Sequence, residues 1–206
     1  MAWGKQLIVV DGQESEEYGR IEWPAFSPDG NRVAYAIQQG KEYKWGIVAD
    51  GEKGPEYDFV GGPIFSPDSK HLAYVAWRGG KQIVVTDGRE GEEYYAIGRL
   101  LFSPDSKHTA YMAGRRDKQL VLIDRQEHRE CAGFGKSSVV FAPDQRRFMY
   151  EGGHGEKWFV VVNGQETREY DGFVAGSTLL FDSLNALHAV ARRDNEFLHV
   201  EIAIQA

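Results

Sequence analysis

The residues Phe65-Ser66-Pro67-Asp68-Ser69 decide the fold, because the same pattern returns along the whole chain. Phe-Ser-Pro-Asp also stands at 26–29 and 102–105, Phe-Ala-Pro-Asp stands at 141–144, and Phe181-Asp182-Ser183 is a degenerate fifth copy. The phenylalanines follow one another at intervals of 37 to 40 residues. A fixed period of this length is the signature of a repeat architecture. The chain is therefore five copies of one unit of about 39 residues.

Three further landmarks keep the same register in each copy. A lysine stands six residues before the start of a turn, and a tyrosine, or once a cysteine, stands seven residues after it. The lysines are Lys5, Lys44, Lys81, Lys118 and Lys157; the turns start at Asp11, Asp50, Asp87, Asp124 and Asn163; the last place holds Tyr18, Tyr57, Tyr94, Cys131 or Tyr170. Landmarks that repeat together exclude a chance similarity.

Four short strands are predicted in the copy that contains Phe65. The first strand ends at Phe65, and the Pro-Asp-Ser turn leads to a second strand, Leu72–Trp77, of small and aromatic residues. A glycine-containing loop leads to the third strand, Gln82–Thr86, whose continuous apolar residues suit burial on both faces. Asp87-Gly88 is a strong hairpin signal, and a more polar fourth strand follows at Glu93–Ile97. No segment of the sequence shows sustained helical periodicity.

Four antiparallel strands every ~40 residues are the period of a β-propeller blade. With Phe-Ser-Pro-Asp ahead of an apolar strand, the repeat resembles the WD40-like β-propeller repeat of the TolB type, from about Lys5 to Val200. The resemblance implies an all-β fold, a five-bladed β-propeller of four-stranded antiparallel blades. The motif is specific for the fold and unspecific for activity, although TolB-type propellers serve as interaction platforms.

One β-propeller domain is expected over residues 1–206. The repeats are predicted at about 22–60, 61–98, 99–136, 137–175 and 176–206, with the last completed by 1–21. The N- and C-terminal strands would then close the ring and leave no long sheet edge open. Two segments, Gln6–Val10 and Phe197–Ile202, compete for the third-strand place of the closing blade. We expect a monomer with a closed ring. The alternatives are an excised fragment and a strand-exchanged oligomer in which the ring closes between molecules.

The charge, the cysteine count and the apolar runs of the sequence exclude several classes of function. The formal net charge of −7 argues against a nucleic-acid partner held by phosphate contacts, since no net basic field would steer it. A single cysteine, Cys131, excludes an intrachain disulfide and a cysteine-rich metal site. No apolar run approaches the ~18 residues of a membrane span. The start of the chain has no signal-peptide pattern, which leaves the cytoplasm or, if a signal was removed, an extracytoplasmic location.

The repeated aspartates are expected to form turns rather than to catalyse or to bind a metal. They recur at the same offset, at Asp29, Asp68, Asp105 and Asp144, which indicates a task that every blade shares. Calcium loops need several oxygen ligands at alternating spacing, and these turns do not provide them. A glycosidase needs two carboxyls about 5–9.5 Å apart, whereas the first strands carry only Glu22, just upstream of one of them. We therefore predict no enzyme, no metal site and no cofactor.

A site for one ligand should use residues that break the repeat. The loops between second and third strands differ most, and in a propeller these loops fall together on one face. They predict a cationic, partly aromatic surface, which suits anions because arginine binds planar anions bidentately. The predicted residues are Trp77, Arg78, Arg115, Arg116, His154, Arg192 and Arg193. Solvated hairpin loops are the plainer alternative, and core packing is expected for Trp23 and Phe59.

These patterns favour a non-enzymatic binding or scaffold propeller that presents a loop face to a protein, a peptide or a small anionic ligand. The first alternative is a carbohydrate-active propeller, a lectin rather than a glycosidase. The second is a designed or reconstructed repeat protein without a ligand.

Overall fold

The computed structural model describes residues 4–40, 42–116, 118–131, 133–134, 139–142, 147–162, 164–174, 179–183 and 186–203. Every regular element within these ranges is a β-strand, which confirms the predicted all-β fold. The chain divides into two compact units, Met1–Phe102 and Ser103–Ala206, and each is described by itself. The single domain over 1–206 stays a prediction.

The first unit contains an N-terminal hairpin and two antiparallel sheets. Its strands are β1 (Val9–Val10), β2 (Gln13–Glu14), β3 (Arg20–Phe26), β4 (Val33–Gln39), β5 (Lys44–Ala49), β6 (Glu52–Lys53), β7 (Phe59–Val60), β8 (Ile64–Phe65), β9 (Leu72–Arg78), β10 (Lys81–Thr86), β11 (Arg89–Tyr94), β12 (Ala96–Ile97) and β13 (Leu101–Phe102). Strands β1 and β2 pair with each other. Sheet 1 has the order β3-β4-β5-β6, and sheet 2 has the order β11-β10-β9-β7 with β8 also paired to β9.

The second unit repeats this arrangement. Its strands are β14 (Thr109–Arg115), β15 (Lys118–Ile123), β16 (Gln126–Cys131), β17 (Gly133–Phe134), β18 (Val140–Phe141), β19 (Phe148–His154), β20 (Lys157–Val162), β21 (Gln165–Glu166), β22 (Gly172–Phe173), β23 (Leu180–Ser183), β24 (Ala186–Arg193) and β25 (Glu196–Ala203). Sheet 3 contains β14-β15-β16, and sheet 4 has the order β17-β19-β20-β21 with β18 paired to β19. In sheet 5, β24 pairs with β22, β23 and β25.

The register distinguishes the two ends of each sheet. In sheet 2, the β9–β10 hairpin follows Arg78, and Phe59 of the first strand pairs with Trp77 beside it. Phe65 pairs with Leu72 at the opposite end, next to the Pro-Asp turn. We call these the hairpin end and the turn end. Each sheet therefore carries its second-to-third-strand loop at the hairpin end.

The turn end contains the side-chain to backbone hydrogen bonds that the Ser-Pro-Asp sequence predicts. In sheet 2, the Ser66 hydroxyl donates a hydrogen bond of 2.6 Å to Asp68 Oδ1, and the His71 amide donates one of 2.9 Å to Ser66 Oγ. The turn role predicted for the aspartates is confirmed by the same contacts at Asp29 and Asp105. Asp144 lies outside the described residues.

The Asp-Gly hairpins also have the predicted geometry. Asp87 and Gly88 both have positive φ, 50° and 73°, as a type I′ turn requires. The Asp87 carboxylate accepts a hydrogen bond of 3.0 Å from the Leu72 amide, and it lies 2.8 Å from His71 Nδ1. The turn therefore ties the third strand to the start of the second strand.

The core of each unit comes from the second and third strands. Ala73, Tyr74 and Val85 of sheet 2 are buried. Between sheets 1 and 2, Tyr57 meets Tyr74 edge to face, with ring centroids 6.3 Å apart. The Tyr57–Tyr74 contact therefore joins sheet 1 to sheet 2 within the core of the first unit.

The third-strand place beside β24 is filled by β25, which pairs with it from Arg193–Glu196 to Ala186–Ala203. The competing segment, Gln6–Val10, pairs through Val9 with Glu14 and through Gln6 with Tyr18. Five blades and ring closure stay predictions. Among the described residues, no helix is long and apolar enough to cross a membrane.

Candidate functional site

The predicted loop residues all stand at the hairpin ends of their own sheets. In the first unit, Trp77 and Arg78 end β9. In the second unit, Arg115 ends β14, Arg116 follows it with φ 56°, His154 ends β19, and Arg192 and Arg193 end β24. The His154 side chain lies outside the described part. Whether the seven residues act together stays a prediction.

Several of these arginines have partners among the described residues. The two terminal nitrogens of Arg78 donate to both carboxylate oxygens of Glu90, at 3.1 and 2.8 Å. Arg115 lies 2.6 Å from Glu127 of its own sheet, and the Arg193 guanidinium lies 5.1 Å from the ring centre of Tyr170, which bridges to Trp158 of sheet 4. The carboxylates of Glu90 and Glu127 therefore fasten two hairpins to the fourth strands of their own sheets and neutralise part of the predicted cationic surface.

Glu90 joins Arg78 to the packing between sheets 1 and 2. Its carboxylate also accepts a hydrogen bond of 2.8 Å from the Tyr57 hydroxyl. Hydrogen bonds from Arg78 and Tyr57 lower the pKa of Glu90. Burial, with Glu90 as a further cause, raises the pKa of Tyr57 far above its usual range. Through Glu90, Arg78 therefore links the β9–β10 hairpin to Tyr57 between sheets 1 and 2.

Four aromatic side chains meet at the hairpin ends of sheets 1 and 2, and we call them the aromatic platform. Ring centroids are 6.0 Å apart for Trp23–Trp45, 5.6 Å for Trp23–Phe59, 5.4 Å for Trp45–Phe59 and 5.1 Å for Phe59–Trp77. The three contacts of Phe59 are edge to face, with interplanar angles of 84°, 66° and 73°. Edge-to-face contacts of this kind stabilise aromatic clusters beyond the buried area alone.

The platform has a buried base and an exposed outer surface. Trp45 is only 5% exposed, whereas Trp23 is 41% and Phe59 36% exposed. The prediction that Trp23 and Phe59 pack in the core is therefore wrong for their outer faces. The reason is a break in the β3–β4 register between Glu22 and Ala25, where Trp23 takes a φ of 48° and its ring turns towards sheet 2.

Two glycines allow the indole rings of Trp23 and Trp77 to pack closely against the backbone. A Cβ on Gly62 would lie 3.3 Å from Cβ and 3.4 Å from Cγ of Trp23. A Cβ on Gly61 would lie 3.6 Å from the nearest ring atom of Trp77. The backbone of Gly61-Gly62 therefore passes between two indoles, and the absence of a side chain at Gly62 lets Trp23 lie against it.

Charged groups around the platform are paired. Arg20 forms an ion pair with Glu22, and its guanidinium lies 5.9 Å from the ring centre of Trp45. Lys44 lies 2.6 Å from Asp58, which also accepts a hydrogen bond of 2.8 Å from the Gly79 amide. The contact with Lys44 lowers the pKa of Asp58 and raises that of Lys44. The border of the platform is therefore charged but locally neutral.

A polar cleft adjoins the platform on the side of the N-terminal hairpin. Its volume is about 890 Å³, and Arg20 and Glu22 form part of both the cleft wall and the platform border. Lys5 and Glu17 face each other across 3.0 Å, and Tyr43 is 71% exposed. Amide side chains of Gln38 and Gln39 complete the wall. The cleft offers donors, acceptors and one exposed ring.

Comparison of the repeats shows that the platform is confined to one pair of sheets. Trp23 takes the register of Gly62 and Arg99, Phe59 that of Ala96 and Gly172, and Trp77 that of Gly114 and Gly153. Trp158 matches Trp45 in the fourth repeat, but Ser138, Gly172 and Arg192 stand at the registers of Trp23, Phe59 and Trp77 around it. Aromatic residues at registers that are otherwise small or polar are the signal that sequence reasoning missed.

No metal-binding arrangement accompanies the platform. In the described ranges, His, Cys, Asp and Glu side chains form no group of three or more that could hold an ion. The chemistry on offer is aromatic stacking, hydrogen bonding and paired charge.

Similarity to solved structures supports the β-propeller fold. The β-propeller domain of the Trilobed protease from Pyrococcus furiosus shares 15% identity with a TM-score of 0.54, over 90% of this chain and 69% of that one. A eukaryotic initiation factor shares 12% identity with a TM-score of 0.55, over 94% of this chain and 58% of that one. TolB from Acinetobacter baumannii, at 15% identity and a TM-score of 0.44, matches 97% of this chain and 57% of its own.

The chain thus spans between 57% and 69% of the length of these three structures. No protein-family model and no curated protein sequence matches the chain. At such low identity the likeness concerns the fold alone. The β-propeller fold predicted from the Phe-Ser-Pro-Asp repeat is confirmed.

Proposed function

We propose that this chain is a non-enzymatic binding β-propeller that presents the hairpin ends of sheets 1 and 2 to a protein or peptide partner. The observation that carries the proposal is the aromatic platform, with Trp23 and Phe59 exposed on a buried base of Trp45. Interface centres are rich in aromatic residues held in one orientation by their neighbours. A platform with these features needs little ordering when a partner binds.

The conformation of Trp23 supports a binding role. A tryptophan at positive φ is rare, because the left-handed region costs an L-residue about 1–2 kcal/mol. Strain of this kind is concentrated at functional sites.

The proposal includes a five-bladed ring of four-stranded blades closed by the N- and C-terminal strands. The intervals of 37 to 40 residues and the four-stranded sheet β3-β4-β5-β6 support this count. Because β25 stands beside β24, closure by Gln6–Val10 needs either the departure of β25 or pairing along its outer edge.

A binding role accounts better than catalysis for Glu22, which follows Arg20 and Ile21 at the border of the platform. Glu22 is engaged in an ion pair with Arg20. Glycoside hydrolysis needs two carboxyls in the acid and base roles about 5–9.5 Å apart. A paired carboxylate that steadies Arg20 under Trp45 fits a border residue of a binding surface.

The polar cleft favours one alternative, a carbohydrate-binding propeller. Amide side chains, paired charges and an exposed ring such as Tyr43 are groups that could hold a sugar. A small anionic ligand is the other alternative, and exposed Arg116 and Arg192 would be its contacts. A repeat protein without any ligand would bind none of these.

The test is selection of ligands on the full chain. Random peptides displayed on phage would be panned against the wild type and against the double variant Trp23→Gly/Phe59→Ala, with Phe197→Ala as a control. Phe197 is 72% exposed but lies in the second unit. Peptides that bind the wild type and Phe197→Ala, but not the double variant, support the proposal. Enrichment of no peptide, or of peptides indifferent to the double variant, contradicts it, and a parallel glycan array tests the carbohydrate alternative.

A further inference from the structure

We infer that one face of the β24–β25 hairpin holds a site for a divalent transition-metal ion, with His188 and His199 as its protein ligands. The site is independent of the aromatic platform, because both histidines belong to the second unit. Three observations carry the inference: the contact between the two imidazole rings, the carboxylate beside the Nδ1 atom of each ring, and the registers that the two residues occupy in the repeat.

The pairing of β24 with β25 places the two histidines on the same face of sheet 5. His188 pairs with Glu201, and Val190 pairs with His199. Paired residues point to one face, and alternate residues along a strand share that face, so His188 and His199 are diagonal neighbours. Their ring centroids are 5.2 Å apart, and the ring planes are inclined by 34°. Two imidazoles from different strands are therefore in contact.

The distance between the rings agrees with a shared ion. Zinc–nitrogen bonds are ~2.0–2.1 Å long, and zinc in proteins is usually tetrahedral. Two imidazoles that bind one tetrahedral ion through Nε2 therefore have ring centroids about 5 Å apart. The centroids of His188 and His199 already have this separation. Binding of an ion then requires rotation of the side chains and no rearrangement of the backbone.

The carboxylates beside the rings leave the Nε2 atoms for the ion. Asp182 Oδ1 lies 2.6 Å from His188 Nδ1, and Glu201 Oε1 lies 3.9 Å from His199 Nδ1. An ionised carboxylate only accepts hydrogen bonds, so it favours the neutral imidazole that has its proton on Nδ1 and its lone pair on Nε2. Histidines that bind metals usually donate their other ring N–H to a carboxylate, a backbone carbonyl or water.

Both histidines occupy registers that the other sheets fill with buried apolar side chains. In sheets 1, 2 and 4, the phenylalanine of the repeat pairs with the residue just before an alanine or a methionine. Phe181 pairs with Leu187, so His188 takes the register of that alanine or methionine. The counterparts of His188 are Ala34, Ala73, Ala110 and Met149, and those of His199 are Ile47, Val84, Val121 and Val160. All of these counterparts are buried, so the two imidazoles break the repeat together.

The ligand atoms select a transition-metal ion over Mg²⁺ or Ca²⁺. Imidazole nitrogen suits Zn²⁺, Cu²⁺ and Ni²⁺, whereas Mg²⁺ and Ca²⁺ take oxygen ligands. The side chains of His188 and His199 are 29% and 59% exposed, so an ion can reach them and water can complete its coordination. A site with two protein ligands agrees with the finding that the described residues form no group of three or more. A bound ion would cross-link β24 to β25.

The experiment is a calorimetric titration of the full chain, without an affinity tag, with Zn²⁺ and separately with Mg²⁺. The variants are His188→Gln, His199→Gln and Asp182→Asn, and the matched control is His108→Gln in the same unit. His108 Nδ1 also lies beside an aspartate, at 2.5 Å, but among the described residues its ring has no contact with a second histidine. Thermal unfolding without metal checks that each variant folds.

We expect the wild type and His108→Gln to bind one Zn²⁺ with equal affinity and to bind no Mg²⁺. Each of His188→Gln and His199→Gln should bind Zn²⁺ at least about tenfold more weakly, and Asp182→Asn about tenfold more weakly, because loss of a carboxylate behind a ligand histidine costs about 10–100-fold. Absence of zinc binding by the wild type, or zinc binding that survives both histidine substitutions, would overturn the inference.

Nitrogen-15 NMR of the wild-type imidazoles gives a second measurement that does not depend on the folding of any variant. Zn²⁺ should shift the Nε2 signals of His188 and His199 together, at the same equivalence as in the calorimetric titration. A shift confined to one of the two rings, or centred on another histidine, would contradict a shared ion. Each of these results leaves the proposed peptide binding untouched, because the phage selection tests the first unit.

Discussion

Trp23 belongs to the candidate site of its own repeat, and the next two repeats have no aromatic residue at its position. Its φ of 48° lies in the left-handed region, which favours glycine, and the equivalent residue in the next copy is Gly62. The cost is offset by the contacts of the indole with Trp45 and Phe59, at centroid distances of 6.0 and 5.6 Å. The strained backbone is therefore maintained by the rings that it brings together.

Gly62 is the residue on which this arrangement depends most directly. We predict that Gly62→Ala displaces the Trp23 ring, because the new Cβ would lie 3.3 Å from Trp23 Cβ. Overpacking of this kind costs about 1–3 kcal/mol. The measurements are denaturant unfolding and the emission maximum of the tryptophans.

Gly61→Ala is the matched control for Gly62→Ala. Its Cβ would meet its nearest neighbours at 3.6 Å, an ordinary contact, and alanine lowers the entropy of the unfolded chain. Unfolding free energy should therefore be unchanged or slightly raised. Equal effects of the two substitutions would show that the space above Gly62 is not what holds Trp23.

Asp29 makes the folding stability of the protein depend on pH. Hydrogen bonds from the Ser27 hydroxyl and from the amide and side chain of Asn31 lower its pKa from 3.8 to about 2. A lowered pKa means that the folded state prefers the charged carboxylate. Its contribution to stability is complete above the unfolded value and is lost as the pH falls towards 2.

Substitution of Asp29 by asparagine should isolate that contribution. We expect Asp29→Asn to be less stable than the wild type at neutral pH and the two proteins to converge as the pH falls from about 4 to about 2. Thermal unfolding measured across this pH range tests the prediction. A stability gap that stays constant with pH would mean that the charge of Asp29 does not act in the turn.

At the scale of the element, the β9–β10 hairpin is held by a carboxylate from β11. The Glu90 carboxylate accepts hydrogen bonds from Arg78 of the hairpin and from Tyr57 of the loop after sheet 1. We predict that Glu90→Ala destabilises the first unit by about 1–2 kcal/mol, because a half-buried network with a charged partner is lost. Glu90→Gln should cost less, since an amide oxygen still accepts from Tyr57.

Hydrogen exchange of the hairpin amides and denaturant unfolding would measure these effects. Glu52→Gln, on the exposed strand β6, is the control for removing one negative charge. If Glu90→Ala unfolds like Glu52→Gln, the network does not contribute to the stability of the hairpin.

The sequence predicts those elements whose chemistry is local. The Ser66–Asp68 turn and the Asp87-Gly88 hairpin are formed by residues within a few positions of one another, so their types and spacing are sufficient. The arrangement of Trp23 depends on an irregular register between β3 and β4 and on Gly62 of the next sheet. The partner of Arg78 comes from a strand twelve residues later. Contacts of this kind are decided by packing, which no periodicity records.

The place beside β24 is decided by the length of the connection between strands, which a strand pattern alone does not show. Both Gln6–Val10 and the C-terminal segment have a strand pattern, but β25 follows β24 through a short turn at Asp194 and Asn195. A hairpin partner joined by two residues loses little entropy on pairing. The nearest strand in sequence therefore takes the place, although the two segments look equivalent as patterns.

At the scale of the whole molecule, repetition provides the scaffold and its interruption provides the candidate site. Sheets in both units bury an alanine or a methionine before the tyrosine of the second strand, as at Ala73-Tyr74, Ala110-Tyr111 and Met149-Tyr150. Stability in such arrays is a sum of repeats and their nearest-neighbour contacts. One pair of sheets can therefore carry a special surface without changing the others.

The net charge of −7 makes the salt dependence of binding informative for the molecule as a whole. The Debye length falls from about 10 Å at 0.1 M salt to about 3 Å at 1 M, so any attraction or repulsion by the overall field fades as salt is added. A basic partner would bind more weakly in high salt, and an acidic ligand held by Arg116 and Arg192 would do the same. For a peptide selected on the aromatic platform, whose border charges are paired, we expect the affinity to change less than about twofold between low and high salt. Calorimetric titration of the wild type at both ionic strengths measures this, and a steep loss of affinity would show that charge, rather than the aromatic platform, holds the ligand.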